Sequence, residues 1–289
     1  MSPRKNARAT VIARPATRGK TRALGQHFLR DDHIARQIIE LVGPTPRDLA
    51  VEIGPGRGAL TEHLARAAGR LLALEVDARL AARLRERFAD APQVEILEAD
   101  ARRFDYARLR ERLPDPGGRV LAVGNLPYSV GKPILMALVE SGGAIDEMAL
   151  MLQKEVADRL AAGPGTRTYG SLSVLTQIAC DVQLAFTVPP DAFSPSPQVD
   201  SAVIHLRVRS APPVRGLIDL DRFRAVVMAA FGQRRKNLAN ALAAGLGLSA
   251  DRARAIAAAA GIDPGRRAET LSLEEFARLA AADMGPRRG

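Results

Sequence analysis

The chain has 289 residues, 47% of them hydrophobic, which is enough for one large domain or two smaller ones with real cores. A single cysteine excludes an internal disulfide, no apolar stretch is long enough to span a bilayer, and no signal peptide is visible, so a reducing, cytoplasmic setting is expected. The net charge of +10 is uneven: residues 1–30 hold eight Lys/Arg and no acid, residues 31–214 hold 21 basic and 24 acidic side chains, and residues 215–289 hold 13 and 8.

Positive ends around a mildly acidic middle suit a polyanion-binding periphery on a chemistry module. Residues 1–22 carry Pro3, Pro15 and Gly19 among scattered cations with no apolar period, and read as a disordered basic arm. Gly25-Gln26-His27-Phe28-Leu29 comes next and is expected to form a lid over a cofactor, through polar and backbone groups. His27 has no neighbouring acid and no metal-ligand spacing, and the chain has no metal signature.

Ile34, Ile38, Ile39, Leu41 and Val42 predict a helix capped by Asp31 or Asp32. Strands and helices then alternate. Strands are predicted at Leu49–Ile53, Leu71–Glu75, Val94–Glu98, Val120–Val123 and Met148–Leu152. Helices fall near Leu60–Ala68, Arg79–Ala89, Pro133–Glu140, Lys154–Ala162 and Leu172–Ile178. Cys180 lies in the apolar helical stretch that follows Leu172 and reads as a small buried residue. Two further runs, Val182–Val188 and Ala202–Val208, flank a Pro-rich loop like a terminal hairpin and bring the sheet to seven strands. This is a doubly wound, Rossmann-like α/β sheet over residues 23–210. Ala211-Pro212-Pro213 breaks the pattern, and only helical signals follow, near Phe223–Phe231, Leu238–Leu246, Ala250–Ala260 and Leu273–Ala282. A small all-α domain over residues 215–289 is expected.

Four successive strands end in Gly54, Glu75, Asp100 and Asn125, at intervals of 21, 25 and 25 residues, about one strand–helix repeat each. Such residues meet in one crevice at the carboxyl edge of a parallel sheet. Glu52-Ile53-Gly54-Pro55-Gly56-Arg57-Gly58-Ala59 is a Gly-rich strand-to-helix turn, which lets a ligand approach the backbone but does not choose between NAD and S-adenosylmethionine. Glu75 is placed to accept from ribose hydroxyls of either cofactor, with Asp77 the better helix cap. Asp100, placed to accept from an adenine amine, favours S-adenosylmethionine.

Asn125-Leu126-Pro127-Tyr128 supplies the target side. An exocyclic adenine amine is a poor nucleophile because its lone pair is delocalised. The Asn125 side-chain carbonyl and the Leu126 backbone carbonyl would take its N–H groups and favour a tetrahedral nitrogen. Pro127 stiffens the turn, and Tyr128 offers a face on which a base can stack. With only three Tyr in the chain, Tyr128 and Tyr169 are both candidates for more than packing. Phe193-Ser194-Pro195-Ser196-Pro197-Gln198-Val199-Asp200-Ser201 fits as the opposite wall, with Phe193 a second stacking surface or a buried anchor. Arg234, Arg235 and Lys236, consecutive near a helix start, are candidate phosphate contacts.

From Gly25-Gln26-His27-Phe28-Leu29 through Asn125-Leu126-Pro127-Tyr128 and the proline-rich loop to Phe231-Gly232-Gln233-Arg234-Arg235-Lys236-Asn237, the chain resembles the small-subunit (16S) ribosomal RNA adenine dimethyltransferases. The resemblance implies a class I S-adenosylmethionine-dependent methyltransferase sheet followed by a helical domain. It implies dimethylation of N6 on two adjacent adenosines in the 3′-terminal hairpin of 16S rRNA, within a 30S subunit or its precursor, by a monomer that needs no metal. It also implies that His27, Leu29, Gly54, Glu75, Asp100 and Asn125 contact S-adenosylmethionine, and that Asn125, Leu126, Tyr128 and Phe193 form the adenine pocket. Many members carry Asn where His27 stands. Two alternatives remain: a large-subunit (23S) adenine methyltransferase on the same fold, and an RNA-binding ribosome-assembly factor that retains only the pocket.

Overall fold

The structure is a computed structural model that describes residues 27–141, 143–214, 219–233 and 235–282. The basic arm of residues 1–22, Gly25 and Gln26 of the lid motif, and Arg234 lie outside the described residues.

The chain enters through a two-residue strand, β1 (Phe28–Leu29), and helix α1 (Asp32–Val42). Asp31 starts α1 by accepting from the backbone N–H groups of His33 and Ile34, and Gly43 ends it in the left-handed conformation, with φ 48°. Then come β2 (Leu49–Ile53), α2 (Thr61–Ala67), β3 (Arg70–Glu75), α3 (Ala78–Arg87) and β4 (Val94–Glu98). A 3-10 turn at Tyr106–Arg112 leads to β5 (Val120–Asn125), α4 (Gly131–Val139), β6 (Glu147–Gln153), α5 (Lys154–Ala161) and α6 (Ser171–Gln177). The sheet finishes with β7 (Cys180–Val188), the two-residue β8 (Phe193–Ser194) and β9 (Ser201–Val208). Four helices follow: α7 (Leu220–Phe231), α8 (Leu238–Leu246), α9 (Ala250–Ala259) and α10 (Leu273–Ala281).

Seven strands form one sheet in the order β4-β3-β2-β5-β6-β9-β7. The first five are parallel, and β9 lies antiparallel between β6 and β7. β2 and β5 are neighbours although two strands, two helices and a 3-10 turn separate them in the chain, so the winding direction reverses between them. That reversal opens a crevice beyond their carboxyl ends. All five residues of β2 are buried, as they must be in a strand covered on both faces. Both faces carry apolar clusters, one including Val51, Leu135 and Leu150, the other Ile38, Leu64 and Leu121.

A further core joins the C-terminal helices through Phe223, Val227, Leu238 and Phe276. It is not confined to them, because Tyr169, Val174 and Ile178 pack into it from the α5–α6 region. Tyr169 is a packing residue: its ring meets Phe231 edge-on at 6.1 Å, and its hydroxyl donates to the Leu271 carbonyl at 3.0 Å. Cys180 also departs from expectation, since it opens β7 opposite Val208 rather than lying in a helix. Helix α6 has already ended, and the Ala179 carbonyl accepts from Arg209 N–H at 2.8 Å. Burial pushes the Cys180 thiol up to about 12, which makes it inert. Among the described residues no helix is long and apolar enough to cross a membrane, and no cluster of His, Cys, Asp or Glu could hold a metal ion.

Candidate active site

The turn after β2 gives the crevice its floor. Gly54 and Gly56 both take positive φ, 65° and 58°. A Cβ at Gly56 would sit 2.9 Å from the Phe28 ring, so this glycine is required both by its backbone and by the lid packed on it. The same ring carries the Arg57 guanidinium, 4.6 Å from its centroid.

Glu75, at the end of β3, is buried, and its two carboxylate oxygens accept from the backbone N–H groups of Gly56 at 3.0 Å and Asp77 at 2.9 Å. Each oxygen keeps a second acceptor direction, so the group is oriented but not saturated. Burial holds its carboxyl above the usual range. Asp77 caps α3 by accepting from the N–H groups of Arg79 and Leu80.

Glu52, which the sequence reading quoted but gave no role, also lines the crevice. It is 1% exposed, and its Oε2 has no hydrogen-bond partner. Burial pushes it up to about 8, against the opposing pull of the Thr61 hydroxyl beside it and with the neighbouring Glu75 charge acting in the same direction as burial. A sequence signal existed: Glu52 is the one charged residue of an otherwise apolar, fully buried strand.

Asp100 stands just past β4 with Arg102 folded back on it. Arg102 donates to Oδ1 from its backbone N–H at 3.0 Å and from Nε at 2.9 Å, and to Oδ2 from Nη2 at 2.6 Å and from Nε at 3.1 Å. Those bonds hold the Asp100 carboxyl below its ordinary range and give each of its oxygens two bonds from Arg102. Nothing in the sequence singled out Arg102 as lining this pocket.

The lid and the proline-rich loop are one ribbon. β1 pairs antiparallel with β8, placing Phe28 opposite Ser194 and Leu29 opposite Phe193. Phe193 is 2% exposed and packs with Leu29 and Ile34 behind the crevice rather than lining it. His27 bridges further: its Nδ1–H donates to the Pro195 carbonyl at 2.7 Å, and its own carbonyl accepts from Asn125 Nδ2 at 2.9 Å.

That second bond fixes the Asn125 amide. With Nδ2 engaged, Oδ1 is the acceptor left over. The Leu126 N–H donates to the Met151 carbonyl at 3.0 Å, and no hydrogen bond to the Leu126 carbonyl forms among the described residues. Tyr128 lines the same crevice, and burial raises its phenol above the usual value. His27, Leu29, Gly54, Glu75, Asp100, Asn125, Leu126 and Tyr128 therefore share one cavity. Arg235 and Lys236 do not line it. They are exposed between α7 and α8, just before Asn237, which caps α8.

The donor set suits S-adenosylmethionine. Its sulfonium and ammonium are cationic, and the buried Glu52 carboxyl stands in the wall of the crevice. The diol of a ribose matches the free acceptor directions of Glu75, and an adenine amine is a donor of the kind the Asp100 carboxylate accepts.

Comparison with known proteins agrees with this geometry. The sequence profile of the ribosomal RNA adenine dimethylase family matches residues 18–282. The chain is 47% identical over 265 residues to the ribosomal RNA small subunit methyltransferase A of Geobacter metallireducens, covering 91% of this chain and 95% of that one. The protein of the same name from Xanthomonas campestris is 44% identical over 263 residues, 91% of this chain and 96% of its own length. Among solved structures, the 23S rRNA methyltransferase ErmE is 28% identical with a TM-score of 0.64, over 88% of this chain and 98% of that one. A dimethyladenosine transferase from Plasmodium falciparum, 22% identical, shares the fold with a TM-score of 0.70 over 88% of this chain and 96% of its own.

Proposed function

The chain belongs to the ribosomal RNA adenine dimethylase family, and on that premise we propose that it dimethylates N6 of two adjacent adenosines in the 3′-terminal hairpin of 16S rRNA. It is an S-adenosylmethionine-dependent methyltransferase with ribosomal RNA as its substrate. The observation that carries the finer reading is the tethered Asn125 amide: with Nδ2 held by the His27 carbonyl, Oδ1 and the Leu126 carbonyl form a pair of unused acceptors at the crevice.

When bound, S-adenosylmethionine supplies a methyl group on a positively charged sulfur. In this reading His27, Leu29, Gly54, Glu75, Asp100 and Asn125 hold it. Glu75 takes the ribose hydroxyls and Asp100 the adenine amine. On the target side, Asn125 Oδ1 and the Leu126 carbonyl accept the two N–H groups of the substrate amine. That draws its lone pair out of the ring and points it along one line. Tyr128 stacks the base, and Phe193 anchors the loop behind it. No strong base is needed, because proximity and alignment lower the barrier and the proton leaves only as the nitrogen becomes cationic.

Arg234, Arg235 and Lys236 are assigned to the RNA backbone, on a helical unit over residues 215–289 that grips the substrate while residues 23–210 carry the chemistry. The protein acts as a monomer in the cytoplasm on a 30S subunit or its precursor. Identity of 44–47% to small-subunit enzymes, against 28% to a 23S enzyme, supports the small-subunit choice.

The test is methyl transfer from labelled S-adenosylmethionine to undermethylated 30S subunits, with 50S subunits in parallel, followed by mapping of the modified base. Dimethyladenosine in the 3′-terminal hairpin of 16S rRNA is the expected result. Label confined to 23S rRNA would reassign the substrate. Tight 30S binding without label would leave an assembly factor.

A further inference from the structure

Tyr128 is held by two residues that methyl transfer itself does not require. Its Oη lies 2.7 Å from Ser201 Oγ, and its ring centroid lies 5.5 Å from that of His27, with the planes 35° apart. Ser201 is fully buried at the first position of β9, opposite Gln153 on β6 and Val188 on β7. Two strand ladders therefore fix its backbone, and its hydroxyl has no other hydrogen bond among the described residues. His27 is fixed as well, by the bond from its Nδ1–H to the Pro195 carbonyl. Because a carbonyl only accepts, the ring proton sits on Nδ1.

A tyrosine at the mouth of a cavity has two side-chain torsions to settle before a base can stack on it. A bond at the hydroxyl acts at the far end of the ring and restrains the first torsion, whereas rotation about the second turns on the axis through Cζ and Oη and is opposed by the His27 ring beside it. Swinging the ring away would strand the buried Ser201 hydroxyl without a partner, which is unfavourable. His27 covers one side of the ring, so a base must take the other.

We propose that Ser201 and His27 are positioning residues for the target adenosine: Ser201 fixes the edge of the Tyr128 ring, and His27 backs one face so that the opposite face meets the base. The inference rests on the reading of Tyr128 as the stacking residue. It links the start of β9 to the chemistry at the end of β5, across a sequence separation that no local motif spans.

The test uses the full chain as Ser201→Ala, Tyr128→Phe and the double variant, with His27→Ala alongside. That last variant keeps the backbone carbonyl that Asn125 needs. Ser201→Ala should lower kcat on 30S subunits roughly tenfold while the Kd for S-adenosylmethionine stays within about twofold. Tyr128→Phe should do the same, and the double variant should be no worse than either single one, because all three lose one interaction. Losses that multiply in the double variant, or that fall on cofactor Kd instead of kcat, overturn the proposal.

A second readout needs no turnover. The chain has three Tyr, so ring carbons labelled with 13C give a resolvable NMR spectrum. Ser201→Ala should shift the Tyr128 ring signals as the first torsion loosens, His27→Ala should speed Tyr128 ring flips, and both should leave Tyr106 and Tyr169 unchanged. Tyr128 ring signals unaltered by Ser201→Ala overturn the brace even if the wild type methylates 16S rRNA. A wild type that methylates nothing overturns the functional reading instead, and the ring spectrum still decides whether Ser201 holds Tyr128.

Discussion

Replacing Glu52 with Gln should remove a pH dependence that the crevice builds into the protein. Glu52 is buried with Oε2 unpartnered, and its carboxyl is pushed from an ordinary 4.5 up to about 8. Below 4.5 both the folded and the unfolded chain keep the proton, and the contribution of this group to stability is fully present. As pH rises, the unfolded chain releases the proton first, so stability is lost until the folded form also titrates near 8. At about 1.4 kcal/mol per pH unit, this removes about 3 kcal/mol between pH 5.5 and pH 8. The Gln side chain has nearly the same shape and does not titrate. Urea denaturation at a series of pH values should therefore show Glu52→Gln gaining on the wild type as pH rises, by about 3 kcal/mol across that interval. A cationic cofactor favours the ionised carboxylate, so wild-type affinity for S-adenosylmethionine should rise with pH over the same range and stay flat in Glu52→Gln. Calorimetry in two buffers of different ionisation enthalpy would show proton release on binding only in the wild type. Parallel stability curves for the two proteins from about pH 5.5 to pH 8 would refute the reasoning, because they would mean the buried carboxyl titrates normally.

Asn125→Ala should lower kcat at least about 100-fold with cofactor Kd within about threefold, measured by single-turnover transfer and calorimetry; near-normal turnover would remove the acceptor role. Gly56→Ala must displace the Phe28 ring and adopt φ 58°, so affinity for S-adenosylmethionine should fall roughly tenfold as the lid shifts, read by the same calorimetry. Neutralising Arg234, Arg235 and Lys236 together should weaken 30S binding and reduce the slope of log affinity against log salt by up to about 2–3. An unchanged slope would take that segment off the RNA.

The sheet was legible in the sequence because its central parallel strands, buried on both faces, are mostly apolar, as at Leu49–Ile53 and Val120–Val123, while the partly exposed edge strand Val94–Glu98 still carries the predicted ends. Capping chemistry placed the helices as closely, with Asp31 before α1 and Asp77 before α3. The meeting of Gly54, Glu75, Asp100 and Asn125 in one crevice was legible too, because they stand at the ends of successive strands and topology alone brings strand ends together. Pairings between distant segments were not. β1 and β8 are two residues each, too short to show a period, and Ser201 gives no sign that its hydroxyl meets a tyrosine 73 residues earlier. Arg102 looked like one of many surface arginines until its three donors were seen on Asp100. Cys180 was misplaced because the apolar run from Leu172 continues across the helix–strand junction without a break in composition.

Those distant pairings decide how the crevice works as one object. The lid touches the cofactor side through Phe28 on Gly56 and the target side through the His27 carbonyl on Asn125. The proline-rich loop is bound to that lid by the β1–β8 pair, by Arg30 N–H to the Ala192 carbonyl at 3.0 Å and by His27 to Pro195. A displacement of the lid therefore changes the Gly-rich floor, the Asn125 amide and the support of Tyr128 together. Methyl transfer needs the acceptors and the stacking face to be aligned on the cofactor in the same instant, and an alignment error of about 1 Å can cost a factor of about 100 in rate. Tying both sides to one ribbon lets a single set of backbone bonds enforce that alignment, where two independent loops would each add their own error.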